Sequence, residues 1–205
     1  MKIGFIGLGN MGAPMAANLA NAGYEVGGFD VTDVTVDGVT SCSDAPSCVS
    51  GCDLVITMLP DGAILQKVAD EIQQSLKKGA VFLDCSTVDV DTAKSVAAQM
   101  AATDIDMLDA PVSGGISGAA AGTLTFMVGG TSKAFAIAEP LFTVMGNKAV
   151  HVGAAGAGQA VKICNNMILG VTMIATCESI ALGDKLGLDR QKLFDVLSTS
   201  SGASW

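Results

Sequence analysis

The sequence predicts an α/β protein in which a doubly wound, mainly parallel sheet is followed by the start of an all-helical second domain. Short apolar runs alternate with helical patterns from residue 1 to about residue 152, as a sheet with helices on both faces requires. The pattern changes at Gly156, after which one long apolar helix is expected. We therefore expect two domains, over residues 1–155 and 156–205.

The expected elements follow from short apolar runs for strands and from helical periodicity for helices. The strands are expected at 2–6, 25–30, 39–41, 54–58, 80–84, 106–110, 123–128 and 149–152. The helices are expected at 11–22, 62–76, 89–102, 132–144, 159–186 and 190–197. Eight residues separate Asp30 from Val39, and a parallel crossover normally needs about a dozen or more. An extended segment is therefore expected there in place of a helix.

Residues 7–12 read Gly-Leu-Gly-Asn-Met-Gly and directly follow the first expected strand. Gly7 permits a tight turn, Gly9 lets the backbone approach a pyrophosphate, and Gly12 lets the next helix pack close to the sheet. The first N–H groups of that helix then point at the phosphates. This spacing between a strand and a helix predicts a dinucleotide site in a Rossmann-like domain. The alternative is a glycine-rich turn that binds nothing.

Asp30 ends the second expected strand, eighteen residues after Gly12. A carboxylate at this place accepts hydrogen bonds from the adenosine ribose and repels a 2′-phosphate. No Lys or Arg occurs between Lys2 and Lys67 to accommodate such a phosphate. The sequence therefore predicts NAD as the cofactor in preference to NADP. The alternative for Asp30 is a solvated acid at the end of a strand.

The composition is apolar and acidic. Half of the residues are hydrophobic, 15% are charged, and the mean hydropathy is +0.51, so another domain, another subunit or both are expected to cover part of the surface. A homo-oligomer formed through the long apolar helix is expected. The net charge of −9 and the pI near 4.3 argue against nucleic acid and anionic membranes as partners. The apolar part of the long helix, residues 163–177, falls short of the roughly 18 clean apolar residues of a membrane span, so no membrane is expected.

Cysteine and histidine usage indicates neither a metal site nor a disulfide framework. The six cysteines contain no CxxC pair, and His151 is the only histidine. Reduced thiols are typical of a cytoplasmic protein. His151 ends an expected strand and has no acidic neighbour in the sequence, so we expect a structural role for it.

Residues 109–115 lie at the carboxyl end of an expected strand, where ligands bind in open α/β sheets. Ser113 offers a hydroxyl, and the N–H groups of Gly114 and Gly115 can form a concavity that binds an anion. A small carboxylate substrate is therefore expected at this place. The alternative is a plain glycine turn that enters the next strand.

Two further loops, residues 58–60 and 84–87, also follow expected strands directly. Such loops line the cofactor cleft in this architecture. Pro60 stiffens the first loop, and the hydroxyls of Ser86 and Thr87 can bond the ribose or the nicotinamide amide.

Lys162 and Asn166 lie four residues apart on the long helix, and hence on one face. Desolvation on this apolar helix lowers the pKa of a lysine toward the range in which it exchanges protons near neutral pH. The Asn166 side chain can hold the substrate oxygen or the ammonium in place, whereas Asn165 points about 100° away. The alternative is a lysine whose ammonium reaches water near a helix start.

Three ordered motifs resemble the β-hydroxyacid dehydrogenase family, and the resemblance runs along the whole chain. Residues 7–16 are similar to its cofactor signature, residues 109–115 and 122–130 to its substrate signature, and residues 156–166 to its catalytic helix. The segment after Asp30 is shorter than in the family, where a second helix follows. Family members also continue past Trp205 into a larger helical domain.

The resemblance implies a role for each matching residue. Lys162 would be the catalytic acid/base, assisted by Asn166. The substrate would be held by Ser113, Gly114, Gly115 and Asn166. The cofactor would be bound by Gly7, Gly9, Asn10, Met11, Gly12, Asp30, Leu59, Pro60 and Thr87.

The family resemblance also implies the reaction. We expect NAD-dependent oxidation of a small 3-hydroxy acid to its semialdehyde, with 3-hydroxyisobutyrate of valine breakdown as the expected substrate. Alternatives are the reduction of tartronate semialdehyde or succinic semialdehyde on the same scaffold. A non-catalytic module that binds NAD or mediates oligomerisation is the alternative from a different class.

Overall fold

The structure, a computed structural model, describes residues 1–204. The strands are β1 Lys2–Ile6, β2 Glu25–Phe29, β3 Thr40–Ser41, β4 Leu54–Thr57, β5 Val81–Asp84, β6 Asp106–Asp109, β7 Val112–Ser113, β8 Leu124–Gly130 and β9 Gly146–Gly153. The helices are α1 Gly12–Asn21, α2 Ala45–Val49, α3 Gly62–Ile72, α4 Val90–Ala101, α5 Gly115–Ala121, α6 Ser132–Met145, α7 Ala157–Lys185 and α8 Arg190–Leu197. The chain divides into two compact units, Met1–Lys162 and a second that begins at Ile163.

The first unit is built on one mainly parallel sheet with the strand order β3-β2-β1-β4-β5-β6-β8-β7, and β9 pairs with β8. All pairs from β3 to β6 are parallel, whereas β8 runs antiparallel to β6 and β7. The chain order reverses between β1 and β4. In a doubly wound sheet this reversal opens a crevice outside the carboxyl ends of the strands, where ligands bind. The predicted fold class is confirmed.

The register of the parallel strands aligns their carboxyl ends. Ile6 pairs with Thr57, Thr57 with Asp84, and Asp84 with Asp109. Three polar side chains thus end adjacent strands in one row, although the strands themselves are buried. The loops that follow them leave the sheet together at the crevice.

Two hydrophobic clusters cover the two faces of the sheet. Successive residues of a strand point to opposite faces, so Phe5 belongs to the cluster under α1, α5 and α6, and Ile6 to the cluster under α2, α3 and α4. In the first cluster the rings of Phe126 and Phe142 pack with centroids 4.9 Å apart. Burying one such side chain stabilises the fold by about 1.5–3 kcal/mol.

The predicted elements agree closely with the observed ones. The first strand and the last helix have the predicted bounds, and the segment 31–38 contains no helix, as its length predicts. The largest difference is at the C-terminal end of α3, which stops at Ile72 and not at residue 76. The expectations omitted α2, β7 and α5, because these elements are short and α5 consists of Gly, Ala, Ile and Ser without an apolar stripe.

The long helix corrects one expectation. α7 has 29 residues and contains an 18-residue window with a mean hydropathy of 1.4, so its length and composition would allow it to cross a membrane. The statement that this segment falls short of a span was wrong because it required an unbroken apolar run, and isolated Asn and Thr residues lower the mean only moderately. Core helices of soluble proteins share this length and composition, so these two properties do not by themselves identify a membrane span.

The second unit contains the remainder of α7 and α8. Gly187 turns the chain with a φ of 73°, and the Asp189 side chain accepts a hydrogen bond from Lys192 N (3.0 Å) at the start of α8. The Arg190 guanidinium donates two hydrogen bonds of 2.7 Å to the Asp184 carboxylate. The turn and this exposed pair fix α8 against the end of α7.

Candidate active site

The glycine-rich turn leaves β1 as tightly as the sequence predicts. Gly7 has a φ of 94°, a conformation that side chains other than hydrogen disfavour, and its N–H donates to Phe29 O at 2.9 Å. A Cβ atom on Gly12 would collide with the Gly7 carbonyl oxygen. Gly9, in contrast, is exposed, and the space around it is open. The turn therefore presents bare backbone toward the crevice.

The start of α1 is available to an anion. Within the described residues, no side chain caps this helix, whose N-cap residue is Met11. The first N–H groups of a helix need acceptors from outside the helix, and their dipoles favour phosphate. Asn10 is exposed and Met11 is half-exposed at the same place. This arrangement fits a pyrophosphate.

Asp30 follows β2 and is held by three hydrogen bonds. One carboxylate oxygen accepts from Leu8 N at 2.7 Å, and the other accepts from the Thr32 N–H at 2.9 Å and the Thr32 hydroxyl at 2.7 Å. Partial burial raises the pKa of Asp30, but these hydrogen bonds together hold the pKa below its usual range. Asp30 is therefore ionised near neutral pH and still has lone pairs for further donors.

A cavity of about 310 Å³ lies beside Asp30, between the end of β2 and the start of α2. Asp33, Ser41 and Ser43 also line it, and none of the described lining residues is a Lys or Arg. The short extended segment after β2 thus leaves room for an adenosine. A carboxylate without a nearby cation suits a free 2′-hydroxyl and opposes a 2′-phosphate.

The loops after β4 and β5 are joined by Ser86. The Ser86 hydroxyl accepts a hydrogen bond from Leu59 N at 2.8 Å, and the residue is completely buried. The expectation that Ser86 bonds the ribose or the nicotinamide amide is therefore wrong, because its hydroxyl is engaged inside the protein. Thr87 and Pro60 are exposed, and Leu59 is half-exposed, so these three remain candidates for cofactor contact.

Behind Ser86 lies a carboxyl group that sequence reasoning missed. Asp84 is fully buried, and one of its oxygens accepts from the Thr57 hydroxyl at 2.8 Å and from the Ser86 hydroxyl at 2.6 Å. Burial and, to a smaller extent, the nearby charge of Asp109 raise the pKa of Asp84 to about 6, against the hydrogen bonds that lower it. Among the described residues, the other oxygen, Oδ2, has no hydrogen-bond partner.

Asp109 and Gln159 anchor the start of α7. The two Asp109 oxygens accept from Gly156 N at 2.7 Å and from Gln159 N at 2.9 Å. The buried Gln159 amide donates to Ser86 O at 2.8 Å and accepts from Val88 N at 3.2 Å. Burial raises the pKa of Asp109 despite these hydrogen bonds. Because Lys162 lies one turn further along α7, this anchor also sets its position.

Lys162 meets the segment that was expected to bind the substrate. Its Nζ atom lies 2.6 Å from Val112 O, the carbonyl directly before Ser113. The Lys162 side chain is half-buried, and this burial lowers the pKa of its amine. Ser113 is half-exposed, and Gly114 and Gly115 are exposed, with φ values of 133° and 63°. A poorly hydrated amine therefore stands beside backbone that can receive a ligand.

Comparison with known proteins agrees with this geometry. The family model described as the NAD binding domain of 6-phosphogluconate dehydrogenase matches residues 2–153, and that described as the NAD-binding of NADP-dependent 3-hydroxyisobutyrate dehydrogenase matches residues 156–205. A 3-hydroxyisobutyrate dehydrogenase of Pseudomonas aeruginosa is 45% identical over 99% of this chain and 71% of its own length. The chain belongs to the β-hydroxyacid dehydrogenase family. It is an NAD-dependent oxidoreductase that acts on hydroxy acids.

Two further proteins are similar to this chain. An NAD-dependent L-serine dehydrogenase of Pseudomonas aeruginosa is 45% identical over 100% of this chain and 71% of its own length. The structure of the Mycobacterium tuberculosis 3-hydroxyisobutyrate dehydrogenase with L-serine superposes with a TM-score of 0.93 at 45% identity. The superposition covers 72% of the M. tuberculosis chain and 100% of this chain.

Two further predicted residues have contacts of their own. Asn166 is exposed, lies on α7 in the second unit and accepts a hydrogen bond from Asn165 Nδ2 at 3.2 Å. His151 Nε2 lies 2.9 Å from Gly130 O, and its ring stacks on Phe135 with centroids 5.2 Å apart. These packed contacts agree with the structural role expected for His151.

Proposed function

We propose that this β-hydroxyacid dehydrogenase oxidises 3-hydroxyisobutyrate to methylmalonate semialdehyde with NAD, as a step of valine catabolism in the cytoplasm. The observation that carries the proposal is the half-buried Lys162 amine, 2.6 Å from the carbonyl that precedes Ser113. An amine with a lowered pKa beside an anion-binding turn suits a substrate that has a carboxylate and a nearby hydroxyl.

In this proposal the turn holds the carboxylate. The Ser113 hydroxyl and the N–H groups of Gly114 and Gly115 donate to it, and Asn166 from the same helix as Lys162 assists in orienting the substrate oxygen. These are backbone and hydroxyl donors without a charge, so they bind the carboxylate without competing with Lys162 for a proton. Binding of both ends of a small substrate converts the reaction to an effectively intramolecular one.

Lys162 acts as the general base in the oxidation. The neutral amine has two N–H groups and one lone pair; one N–H donates to Val112 O, which leaves the lone pair free to face the substrate hydroxyl. The hydroxyl proton passes to Lys162 as the carbon–oxygen double bond forms. NAD, when bound, supplies the acceptor for the hydride that leaves the same carbon. The products are the semialdehyde, NADH and a proton that Lys162 releases.

Asn10, Met11, Leu59, Pro60 and Thr87 are proposed to contact the cofactor, in addition to the glycine-rich turn and Asp30. Support comes from their position at the carboxyl ends of β1, β4 and β5 and from their exposed or half-exposed side chains. We further propose that the dinucleotide-binding domain comprises residues 1–155 and that residues 156–205 begin the helical domain.

L-serine is a second candidate substrate, because one relative is named an NAD-dependent L-serine dehydrogenase and one similar structure is titled with L-serine. Serine carries the same primary alcohol at the same distance from a carboxylate, with an ammonium in place of the methyl group. The reduction of tartronate semialdehyde or succinic semialdehyde is the third candidate reaction. Each candidate predicts a different preferred acid.

The test is a set of initial rates with NAD and with NADP on 3-hydroxyisobutyrate, L-serine, glycerate and 4-hydroxybutyrate. The highest kcat/KM is expected with 3-hydroxyisobutyrate and NAD. A kcat/KM at least about tenfold higher with another acid would reject the proposed substrate, since that ratio corresponds to a full 1.4 kcal/mol of transition-state discrimination. Preference for NADP would reject the role of Asp30.

A homo-oligomer formed through α7 is proposed for the second unit. Met167, Val171 and Ile174 recur at helical spacing and are 64%, 61% and 66% exposed. Such a face is normally covered by protein or lipid. Light scattering after size exclusion is expected to give at least a dimer without detergent. A monomer that enters liposomes would instead support a membrane-bound helix.

A further inference from the structure

Asp84 combines complete burial with incomplete hydrogen bonding. All of its protein donors (the Thr57 hydroxyl and the Ser86 hydroxyl and N–H) bond one oxygen, Oδ1, at 2.8, 2.6 and 3.2 Å. Oδ2 has no partner among residues 1–204. A buried charge in this state destabilises the fold. An asparagine at this position would keep an acceptor for the same donors without a charge, so packing alone does not account for an aspartate.

The position of Asp84 connects it to the cofactor crevice. A serine hydroxyl has a single proton, and in this structure the proton of Ser86 is directed at Asp84. The Ser86 oxygen therefore presents its lone pairs to Leu59 N, which donates to it at 2.8 Å. The Ser86 carbonyl is held independently by Gln159 at 2.8 Å. The backbone of Ser86 is thus fixed, and Asp84 determines where its hydroxyl points.

Leu59 in turn forms a wall of the glycine-rich turn. A Cβ atom on Gly7 would lie 3.2 Å from Leu59 Cδ2 and would collide with Met58 O. The loop that Ser86 holds is therefore in direct contact with the turn that binds the pyrophosphate. A shift of Leu59 N away from Ser86 would displace this loop at the mouth of the cofactor site.

We propose that Asp84 is a positioning residue for NAD: its carboxylate orients the Ser86 hydroxyl, which holds the Leu59 amide and so keeps the loop after β4 against the glycine-rich turn. The inference requires NAD binding only, and it stands whichever hydroxy acid is the substrate. The destabilising charge is retained because a carboxylate is the stronger acceptor for the Ser86 hydroxyl.

If Asp84 positions the loop through its charge, the Kd of NAD changes with pH as Asp84 is protonated. A role in packing alone would not produce this change. Because its pKa is about 6, Asp84 loses its charge within the range between pH 5 and pH 8. The strands beside Asp84 are β4 with Thr57 and β6 with Asp109, and Gln159 of α7 contacts the nearby Ser86 carbonyl. The titratable groups near Asp84 are Asp109 and the adjacent Cys85, and burial raises the pKa of both. The contribution of Asp84 to the pH dependence of the Kd of NAD is the part that is absent from Asp84→Asn.

The experiment measures the Kd of NAD by isothermal titration calorimetry on the full chain, together with Tm. Asp84→Asn is expected to raise the Kd about fivefold at pH 7.5, and Ser86→Ala about tenfold, from the weakened or lost hydrogen bond. Thr57→Val is the matched control, because it removes a donor to the same oxygen that does not reach Leu59; its Kd is expected within about twofold of the wild type. The Tm of Asp84→Asn is expected to equal or exceed that of the wild type.

The pH arm compares the wild type with Asp84→Asn between pH 5 and pH 8. The wild-type Kd is expected to rise about fivefold toward pH 5, and the Kd of the variant to change less. Asp84→Asn and Ser86→Ala proteins that bind NAD within about twofold of the wild type would overturn the proposal. A wild-type Kd that does not change between pH 5 and pH 8 would also overturn the proposal, and this measurement tests it even if the variants do not fold. Failure of the wild type itself to bind NAD would refute the NAD-dependent reaction as well.

Discussion

Replacing Asp84 with Asn should stabilise the protein at neutral pH, contrary to the usual effect of a substitution in a core. The pKa of Asp84 is raised from 3.8 to about 6 in the folded protein. The folded state therefore keeps this proton at pH values where the unfolded chain has lost it, and the free energy of unfolding falls as the pH rises from about 4 to about 6. At pH 7 the loss amounts to about 3 kcal/mol.

Asp84→Asn removes this loss of stability, because it has no charge, and introduces a smaller loss. An amide oxygen accepts the Thr57 and Ser86 hydroxyls more weakly than a carboxylate does, by about 1 kcal/mol. The buried amide N–H groups that the variant places at the position of Oδ2 cost about a further 1 kcal/mol. The net gain at pH 7 is then about 1 kcal/mol, equivalent to about 2–4 °C in Tm for a chain of this length. At pH 4, where Asp84 is protonated in the folded state, the gain disappears.

Thermal unfolding followed by circular dichroism at pH 4, 5, 6 and 7 measures the difference between the variant and the wild type. Thr57→Val is the control, and its Tm should change in the opposite direction. It removes a donor that stabilises the ionised carboxylate, so it should lower Tm at pH 7. An Asp84→Asn protein that is less stable than the wild type at pH 7, with a difference independent of pH, would refute the reasoning.

Three further substitutions have defined outcomes. Asp30→Ala should raise the ratio of kcat/KM with NADP to that with NAD by at least about tenfold, because the 2′-phosphate is no longer repelled; an unchanged ratio rejects that role. Gly158→Ala should destabilise the first unit by about 1–3 kcal/mol in urea unfolding, because the added Cβ would collide with the Met127 and Asp109 carbonyl oxygens; unaltered stability contradicts this packing. Ser113→Ala should raise the substrate KM about tenfold while the Kd of NAD is retained; a KM within twofold of the wild type removes Ser113 from the substrate site.

The parts of the fold that depend on local spacing could be predicted from the sequence. The glycine-rich turn, Asp30 and the extended segment 31–38 follow from residue types a few positions apart, and the structure has them where the sequence predicts. The proximity of Lys162 to the turn at 113–115 was also expected, on the strength of ordered motifs.

What the sequence could not reveal depends on strand register. Asp84 and Asp109 are neighbours only because β5 and β6 pair in one particular register. Asp109 caps α7 across 47 positions of the chain, a separation at which no periodicity carries information. Ser86 illustrates the same limit, since its place in a loop after a strand was predictable, whereas its burial and its hydrogen bonds to Asp84 and Leu59 were not.

The central claim is that the poorly hydrated amine of Lys162 takes the proton of the substrate hydroxyl. The most direct test is the single-turnover rate of Lys162→Met, a side chain of similar length without the amine, measured beside the Kd of NAD. The rate is expected to fall by about 10²–10⁴-fold, as for other general bases, while the Kd of NAD stays within about twofold of the wild type. A variant that keeps more than about a tenth of the wild-type rate would contradict the claim.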